Sequence, residues 1–97
     1  MANQRRAPAE RRQAFYSGHV QGVGFRYTVR QLAENYDVAG FVRNLPDGRV
    51  ELVAEGSPAE LDRFMATITD RMAEQIRSVA VDVRPAIGEF RDFKIRH

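Results

Sequence analysis

The residues from position 18 to position 26 are the part of this sequence best suited to binding an anion. The segment reads Gly18-His-Val-Gln-Gly-Val-Gly-Phe-Arg26, where an extended stretch gives way to a helical one. Glycines at such a junction let successive backbone N–H groups point inward around an anion, and the helix N-terminus adds unpaired donors. Arg26 falls in the first helical turn, where its planar guanidinium suits phosphate. The pattern predicts a phosphate cradle made of the loop and Arg26.

The two common glycine loops for nucleotides do not fit this segment. A dinucleotide-binding fingerprint needs a third glycine where this chain has Tyr27. A P-loop needs Gly-Lys followed by Ser or Thr, whereas the single lysine of the sequence is Lys94. The loop is therefore predicted to bind phosphate in another manner.

A second polar position is Asn44, which ends an apolar stretch just before the turn Leu45-Pro-Asp-Gly48. Its side-chain amide is both a donor and an acceptor, so it could hold a water molecule in one orientation. Asparagine is also a frequent turn residue. From residue type alone, a purely structural role for Asn44 is the simpler interpretation.

Other polar residues are predicted to have ordinary roles. We expect His19 to face solvent and the terminal His97 to be frayed. Asp47 is assigned to the turn and Glu51 to the solvent-exposed face of a strand, so the two are not expected to act as a catalytic carboxylate pair. Tyr27 neighbours the loop, but the sequence suggests no role for it.

The spacing of the apolar residues predicts the elements that hold these positions. Helical periodicity follows the glycine loop and recurs after Ser57-Pro-Ala-Glu60, a pattern typical of a helix N-terminus. Alternating residues predict strands. The expected order is β-α-β-β-α-β with a short additional strand, over residues 14–20, 24–36, 38–44, 50–55, 58–72, 79–84 and 90–97. This is an α+β, ferredoxin-like split β-α-β sandwich, in which two helices cover one face of an antiparallel sheet.

Length and composition limit the alternatives. A chain of 97 residues with 43% hydrophobic content supports one domain, and the absence of cysteine excludes thiolate chemistry. We expect residues 1–13 to form a flexible basic tail, with four arginines and one glutamate, and residues 14–97 to form the domain. The domain is then near neutral, which argues against a specific nucleic-acid partner. With no long apolar run and no apolar leader, we expect a cytoplasmic monomer without a membrane partner.

Two long segments of the chain resemble a known family. GHVQGVGFR, from Gly18 to Arg26, and GFVRNLPDGRVELVAEG, from Gly40 to Gly56, are similar to the two signature segments of acylphosphatases. The resemblance implies an enzyme that hydrolyses acyl phosphates to a carboxylate and inorganic phosphate without metal or cofactor. It also implies that Arg26 binds the substrate phosphate and that Asn44 positions the attacking water.

The same resemblance assigns the phosphoryl oxygens to the backbone amides of one run of residues. This run consists of Gln21, Gly22, Val23, Gly24, Phe25 and Arg26. The chain departs from the family at Leu45, where many members carry Thr, Ser or Arg, so an auxiliary hydrogen bond from this position is not expected.

Two other functions remain open from the sequence. One is a non-catalytic ferredoxin-like module that binds a small anion or an effector. Such a module would not require both Arg26 after the glycine loop and Asn44 before the turn, so their joint presence counts against it. The other is an acylphosphatase-like unit that serves carbamoyl phosphate within a larger maturation enzyme. Such units are normally fused to further domains, and because this sequence stops at His97, we expect the free-standing enzyme.

Overall fold

A computed structural model of the chain describes residues 9–97. It contains five strands and two helices in the predicted order. They are β1 (Glu10–Gly18), α1 (Phe25–Ala33), β2 (Val38–Asn44), β3 (Val50–Gly56), α2 (Pro58–Arg71), β4 (Ile76–Pro85) and β5 (Phe93–Arg96). The predicted fold class is confirmed.

The strands form one sheet in the order β4-β1-β3-β2-β5. All neighbouring strands are antiparallel except β2 and β5, which are parallel. The exception follows from the connection over residues 86–92, which leaves the end of β4 and enters β5 at the opposite edge. Because this connection stays at one end of the sheet, β5 must run in the direction opposite to β4. This is the direction of β2, so β2 and β5 are parallel.

The boundary of the predicted tail needs a correction. Residues 1–8 lie outside the described part of the chain, but residues 10–13, predicted to be tail, are the start of β1. β1 is a central strand that pairs with both β3 and β4. Its polar side chains also have partners, because Arg12 pairs with Asp62 of α2 at 2.6 Å and Arg11 with Glu89 at 3.1 Å. Residues 10–13 are therefore held in the sheet by backbone pairing on both sides and by these ion pairs. Their polar sequence alone does not identify them as a strand.

The second helix begins at the predicted residue, and α1 begins one residue later than predicted, at Phe25. α1 is also shorter than expected, since it ends at Ala33 rather than at Tyr36. Tyr36 follows the helix and packs against Phe64, and its hydroxyl lies 2.6 Å from that of Thr67. At the start of α2, the Ser57 hydroxyl accepts a hydrogen bond from the Glu60 backbone N–H, as the sequence predicts.

The core lies between the helices and one face of the sheet. Its largest fully buried side chains are Tyr16, Phe25, Phe64, Leu52, Leu61 and Ile68. No helix within residues 9–97 is long and apolar enough to cross a membrane.

The two ends of the sheet differ in what they hold. At one end, Val50 pairs with both Tyr16 and Asn44, and the loop between β1 and α1 lies beyond this pairing. At the other end, Gly56 pairs with Glu10 and Val38. The two positions singled out from the sequence, Arg26 and Asn44, therefore belong to the same end.

Candidate active site

The loop that joins β1 to α1 is shaped by two glycines. Gly22 and Gly24 have φ values of 77° and 78°, in the left-handed region that other residues avoid. A Cβ added at either glycine would contact nothing within 4 Å. The loop therefore requires glycine at these positions for backbone conformation and not for lack of space.

The backbone N–H groups of this loop are unpaired: within residues 9–97, none from Gln21 to Arg26 donates to a protein acceptor. Gly24 is the N-cap residue of α1 and supplies no side-chain cap, and the first turn of α1 carries no acidic residue. A run of unpaired donors at a helix N-terminus is a favourable site for an anion.

Arg26 adds a charged side chain to these donors. Its Nη1 atom lies 3.4 Å from the carbonyl oxygen of Arg96 and 3.4 Å from Nδ1 of His97. These are its side-chain hydrogen bonds within the described residues, and neither partner is a carboxylate. Among residues 9–97, Arg26 therefore forms no ion pair with a carboxylate.

Asn44 ends β2 at the same end of the sheet. Its Oδ1 atom is buried and has no hydrogen-bond partner within residues 9–97. Buried polar atoms in native proteins are nearly always hydrogen-bonded to protein or to water. An amide oxygen in this state is suited to receive a hydrogen bond from a small molecule.

One pocket of about 170 Å³ brings these groups together. Its lining consists of Val20, Gly22, Gly24, Phe25, Arg26, Tyr27, Asn44, Ile95 and His97. Of the remaining loop residues predicted for the site, neither Gln21 nor Val23 lines the pocket. The Gln21 side chain turns toward the β2–β3 hairpin, and Val23 packs against the core.

Two polar residues of the pocket, His97 and Tyr27, were given no functional role from the sequence. His97 was expected to be frayed, but it lies beside Arg26, because the parallel pairing of β5 with β2 carries the chain to the Asn44 end of the sheet. Tyr27 remains 61% exposed at the rim. The exposed position of His19 is as predicted.

Metal-ligating side chains are dispersed in the described part of the chain. Among residues 9–97, no group of three or more His, Asp or Glu side chains could hold a metal ion. The donors that line the pocket include backbone amides and the Arg26 guanidinium, groups that bind anions.

Comparisons with known proteins agree with these observations. The family model of acylphosphatase matches residues 12–95. The acylphosphatase of Methanospirillum hungatei is 50% identical over 74 residues, which cover 74% of this chain and 81% of that protein. The acylphosphatase of Acaryochloris marina is 45% identical over 83 residues, with coverage of 84% and 88%.

Solved structures give the same result. The crystal structure of acylphosphatase from Bacillus subtilis superposes with a TM-score of 0.82 at 30% identity, covering 91% of this chain and 99% of that one. Full-length HypF in its phosphate- and nucleotide-bound form matches with a TM-score of 0.77 at 26% identity, but this chain spans 13% of HypF. From the matched length and identity, the chain belongs to the acylphosphatase family of hydrolases.

Proposed function

We propose that this protein hydrolyses acyl phosphates by direct attack of water on phosphorus. The new bond joins the water oxygen to phosphorus, the bond between phosphorus and the acyl oxygen breaks, and the products are a carboxylate and inorganic phosphate. The observation that carries the proposal is one pocket lined by the glycine loop, Arg26 and Asn44.

The loop and Arg26 are proposed to bind the phosphoryl group. The unpaired N–H groups from Gln21 to Arg26 offer more donors than a single side chain could provide. Phosphoryl transfer passes through a loose transition state with charge spread over the equatorial oxygens. Fixed N–H dipoles and a guanidinium without a carboxylate partner stabilise that charge without reorganising.

Asn44 is proposed to orient the attacking water. Its buried Oδ1 atom accepts no hydrogen bond from the described residues, so this oxygen can accept one from water. A neutral amide holds the water but does not remove its proton. The proton passes to an oxygen of the substrate phosphate, which lies next to the attacking water.

The leaving group explains why so few residues suffice. A carboxylate is a weak base, so it departs without a strong general acid, and positioning with charge stabilisation can supply the catalysis. Leu45, next to Asn44, is apolar and contributes no side-chain hydrogen bond. On this mechanism, hydrolysis needs no metal ion and no covalent intermediate.

The dimensions of the pocket favour recognition of the phosphate over the acyl group. A volume of about 170 Å³ is below the roughly 300–1,000 Å³ of pockets that enclose drug-sized ligands. The acyl part of the substrate would then extend past the exposed Tyr27 toward solvent. We expect activity on several acyl phosphates, including benzoyl, acetyl and carbamoyl phosphate.

The test is hydrolysis of benzoyl phosphate by the full chain with chelator present throughout. Arg26→Ala should lower kcat/KM by about a hundred- to a thousandfold, because it removes one preorganised charge stabiliser, and should weaken inhibition by inorganic phosphate. Asn44→Ala should lower kcat with a smaller effect on phosphate inhibition.

The chain offers a matched control for each variant. Arg30→Ala removes an arginine one turn further along α1, where Arg30 pairs with Glu34 on the exposed face, and Asn35→Ala removes an exposed asparagine. Both should retain the wild-type rate. A folded wild type that binds phosphate but does not hydrolyse any acyl phosphate would instead indicate a non-catalytic anion-binding module.

A further inference from the structure

One side chain joins the glycine loop to the hairpin that follows Asn44. Nε2 of Gln21 donates hydrogen bonds to the backbone carbonyl oxygens of Leu45 at 2.8 Å and Arg49 at 2.9 Å. We propose that Gln21 is a positioning residue for the reaction, whose side-chain amide fixes Asn44 relative to the phosphate loop. This inference rests on the proposed function, which assigns the attacking water to Asn44.

The chemistry of the contact suits a primary amide. The NH₂ group of glutamine has two N–H donors, and the base of the hairpin presents two carbonyl oxygens. Leu45 directly follows Asn44, and its own N–H donates to the Arg49 carbonyl at 2.8 Å. Gln21 therefore binds both sides of the hairpin turn, at the pair of residues that closes it.

Within residues 9–97, the two bonds of Gln21 are the only hydrogen bonds that join residues 19–24 to residues 44–49. Val20 and Val23 anchor the loop to the core, whereas Gly22 and Gly24 have no side chains with which to contact the hairpin. Gln21 is half-buried, so water competes less effectively for the two carbonyl groups than it would at the surface.

The expected effect follows from the sensitivity of catalysis to geometry. A displacement of 1 Å between a catalytic group and the reacting atom can cost about a hundredfold in rate. The Gln21 side chain does not use the backbone N–H donors of the loop or the guanidinium of Arg26. Its removal should therefore lower turnover and leave phosphate binding nearly unchanged.

The experiment is a double-mutant cycle of Gln21→Met and Asn44→Ala with benzoyl phosphate, using the full chain. Gln21→Met keeps the length of the side chain and removes both donors. Alone, it should lower kcat by about tenfold and change KM and inhibition by inorganic phosphate by less than about twofold. In the Asn44→Ala background, the same substitution should lower kcat by less than about twofold, because the group it positions is gone.

Gln75→Met is the matched control, since the Gln75 side chain forms no hydrogen bond within the described residues; it should retain the wild-type kcat. The inference is overturned if Gln21→Met leaves kcat unchanged, or if it lowers kcat equally in the wild-type and Asn44→Ala backgrounds. In either case, a low kcat for Asn44→Ala would still support the proposed function. If Asn44→Ala alone keeps the wild-type kcat, the water-positioning role and this inference both fall.

Gln21→Glu provides a second measurement in a side chain of the same shape. An ionised carboxylate cannot donate to the two carbonyl groups, whereas a protonated carboxyl donates one hydrogen bond. The loss of kcat relative to wild type should therefore be larger at pH 7 than near pH 4, close to the usual pKa of glutamate of about 4.3. A loss that is independent of pH in folded protein contradicts a role through these hydrogen bonds.

Discussion

The carboxylate of Glu55 accepts a hydrogen bond from the backbone N–H of Gly88 at 3.0 Å. Its other oxygen accepts from the N–H of Ile87, also at 3.0 Å. Glu55 belongs to β3 and is 7% exposed, on the face of the sheet opposite the helices. The two bonds hold the connection between β4 and β5 against this face of the sheet.

Removal of this carboxylate should destabilise the fold. Glu55→Ala leaves two backbone donors without their charged acceptor, which we expect to cost about 1–3 kcal/mol in the free energy of unfolding. Glu55→Gln should cost less, because its carbonyl oxygen still accepts one bond. Urea unfolding measures both, with the exposed Glu74→Ala as control. Equal stability of Glu55→Ala and wild type would show that the connection is held by other contacts.

The hydroxyl group of Tyr16 is expected to destabilise the folded protein. It is buried without a hydrogen-bond partner among residues 9–97, and burial raises the pKa of the phenol, so the group stays neutral. Tyr16→Phe removes an unsatisfied polar atom and should stabilise the protein by about 1 kcal/mol, with a Tm higher by several degrees.

Tyr36→Phe tests the same atom change where the hydroxyl has a partner. The Tyr36 hydroxyl lies 2.6 Å from that of Thr67, so its removal should lower the free energy of unfolding by about 1 kcal/mol. Thermal melts of the two variants should therefore shift in opposite directions. A lower Tm for Tyr16→Phe would mean that its hydroxyl is hydrogen-bonded in solution.

Replacing a loop glycine that has a positive φ should lower activity as well as stability. Gly24→Ala forces a residue with a Cβ into positive φ, which costs about 1–2 kcal/mol, and relief of this strain would redirect the N–H groups of the loop. Gly88→Ala is a matched control, because Gly88 has a φ of 75° and equal free space but lies far from the pocket in the chain connection behind the sheet. Both variants should lose similar stability in urea unfolding. We expect kcat/KM for benzoyl phosphate to fall in Gly24→Ala alone, and an equal rate in the two variants would contradict the role of the loop.

The stability of the protein should depend on the ionisation of Glu60. Its carboxylate accepts a hydrogen bond from the Asp37 backbone N–H and pairs with Arg63, and these contacts lower the pKa of Glu60. The contribution is present above the pKa of the unfolded chain, about 4.3, and is lost as the pH falls through the lower pKa of the folded state. Glu60→Gln should therefore be less stable than wild type at pH 7 and approach it below about pH 4. Urea midpoints at the two pH values measure this, and a constant difference would contradict it.

Glu60 also shows what sequence pattern could and could not predict. The capping pattern correctly placed the start of α2, because the bond from the Glu60 N–H to the Ser57 hydroxyl is local. In a full capping box the Glu60 side chain would also accept from the Ser57 backbone N–H. Instead it accepts from the backbone N–H of Asp37, which is distant in sequence. Local bonds follow from spacing, whereas a long-range partner depends on how the elements pack.

The strands illustrate the same limit. β2 was predicted at its observed bounds because apolar residues fill it and a strong turn follows. The start of β1 was missed because ion pairs rather than apolar side chains hold it. The alternating valines of β4 were predicted correctly as a strand, yet Val79, Val81 and Val83 remain 43–54% exposed. β4 lies at the edge of the sheet, and an open groove separates its valines from α2.

At the candidate site, residue types indicated Arg26, because glycines and a helix N-terminus surround it. Asn44 precedes a turn and was given a role only through the resemblance to acylphosphatases. The position of His97 depends on the parallel pairing of β5 with β2, and the contact of Gln21 with the hairpin depends on how the loop folds back. Neither is encoded in a short spacing.

The separation of the two ends of the sheet has a practical consequence for handling the protein. β1 begins beside Gly56 of β3, whose other neighbour is Val38 at the start of β2. From Val38, β2 runs seven residues to Asn44, about 20 Å at the usual rise of a strand. An affinity tag or a surface tether attached ahead of Glu10 starts at the end remote from the pocket. The same addition after His97 starts beside the Arg26 guanidinium, so immobilised or fused forms keep an open pocket when they are attached at the N-terminal side.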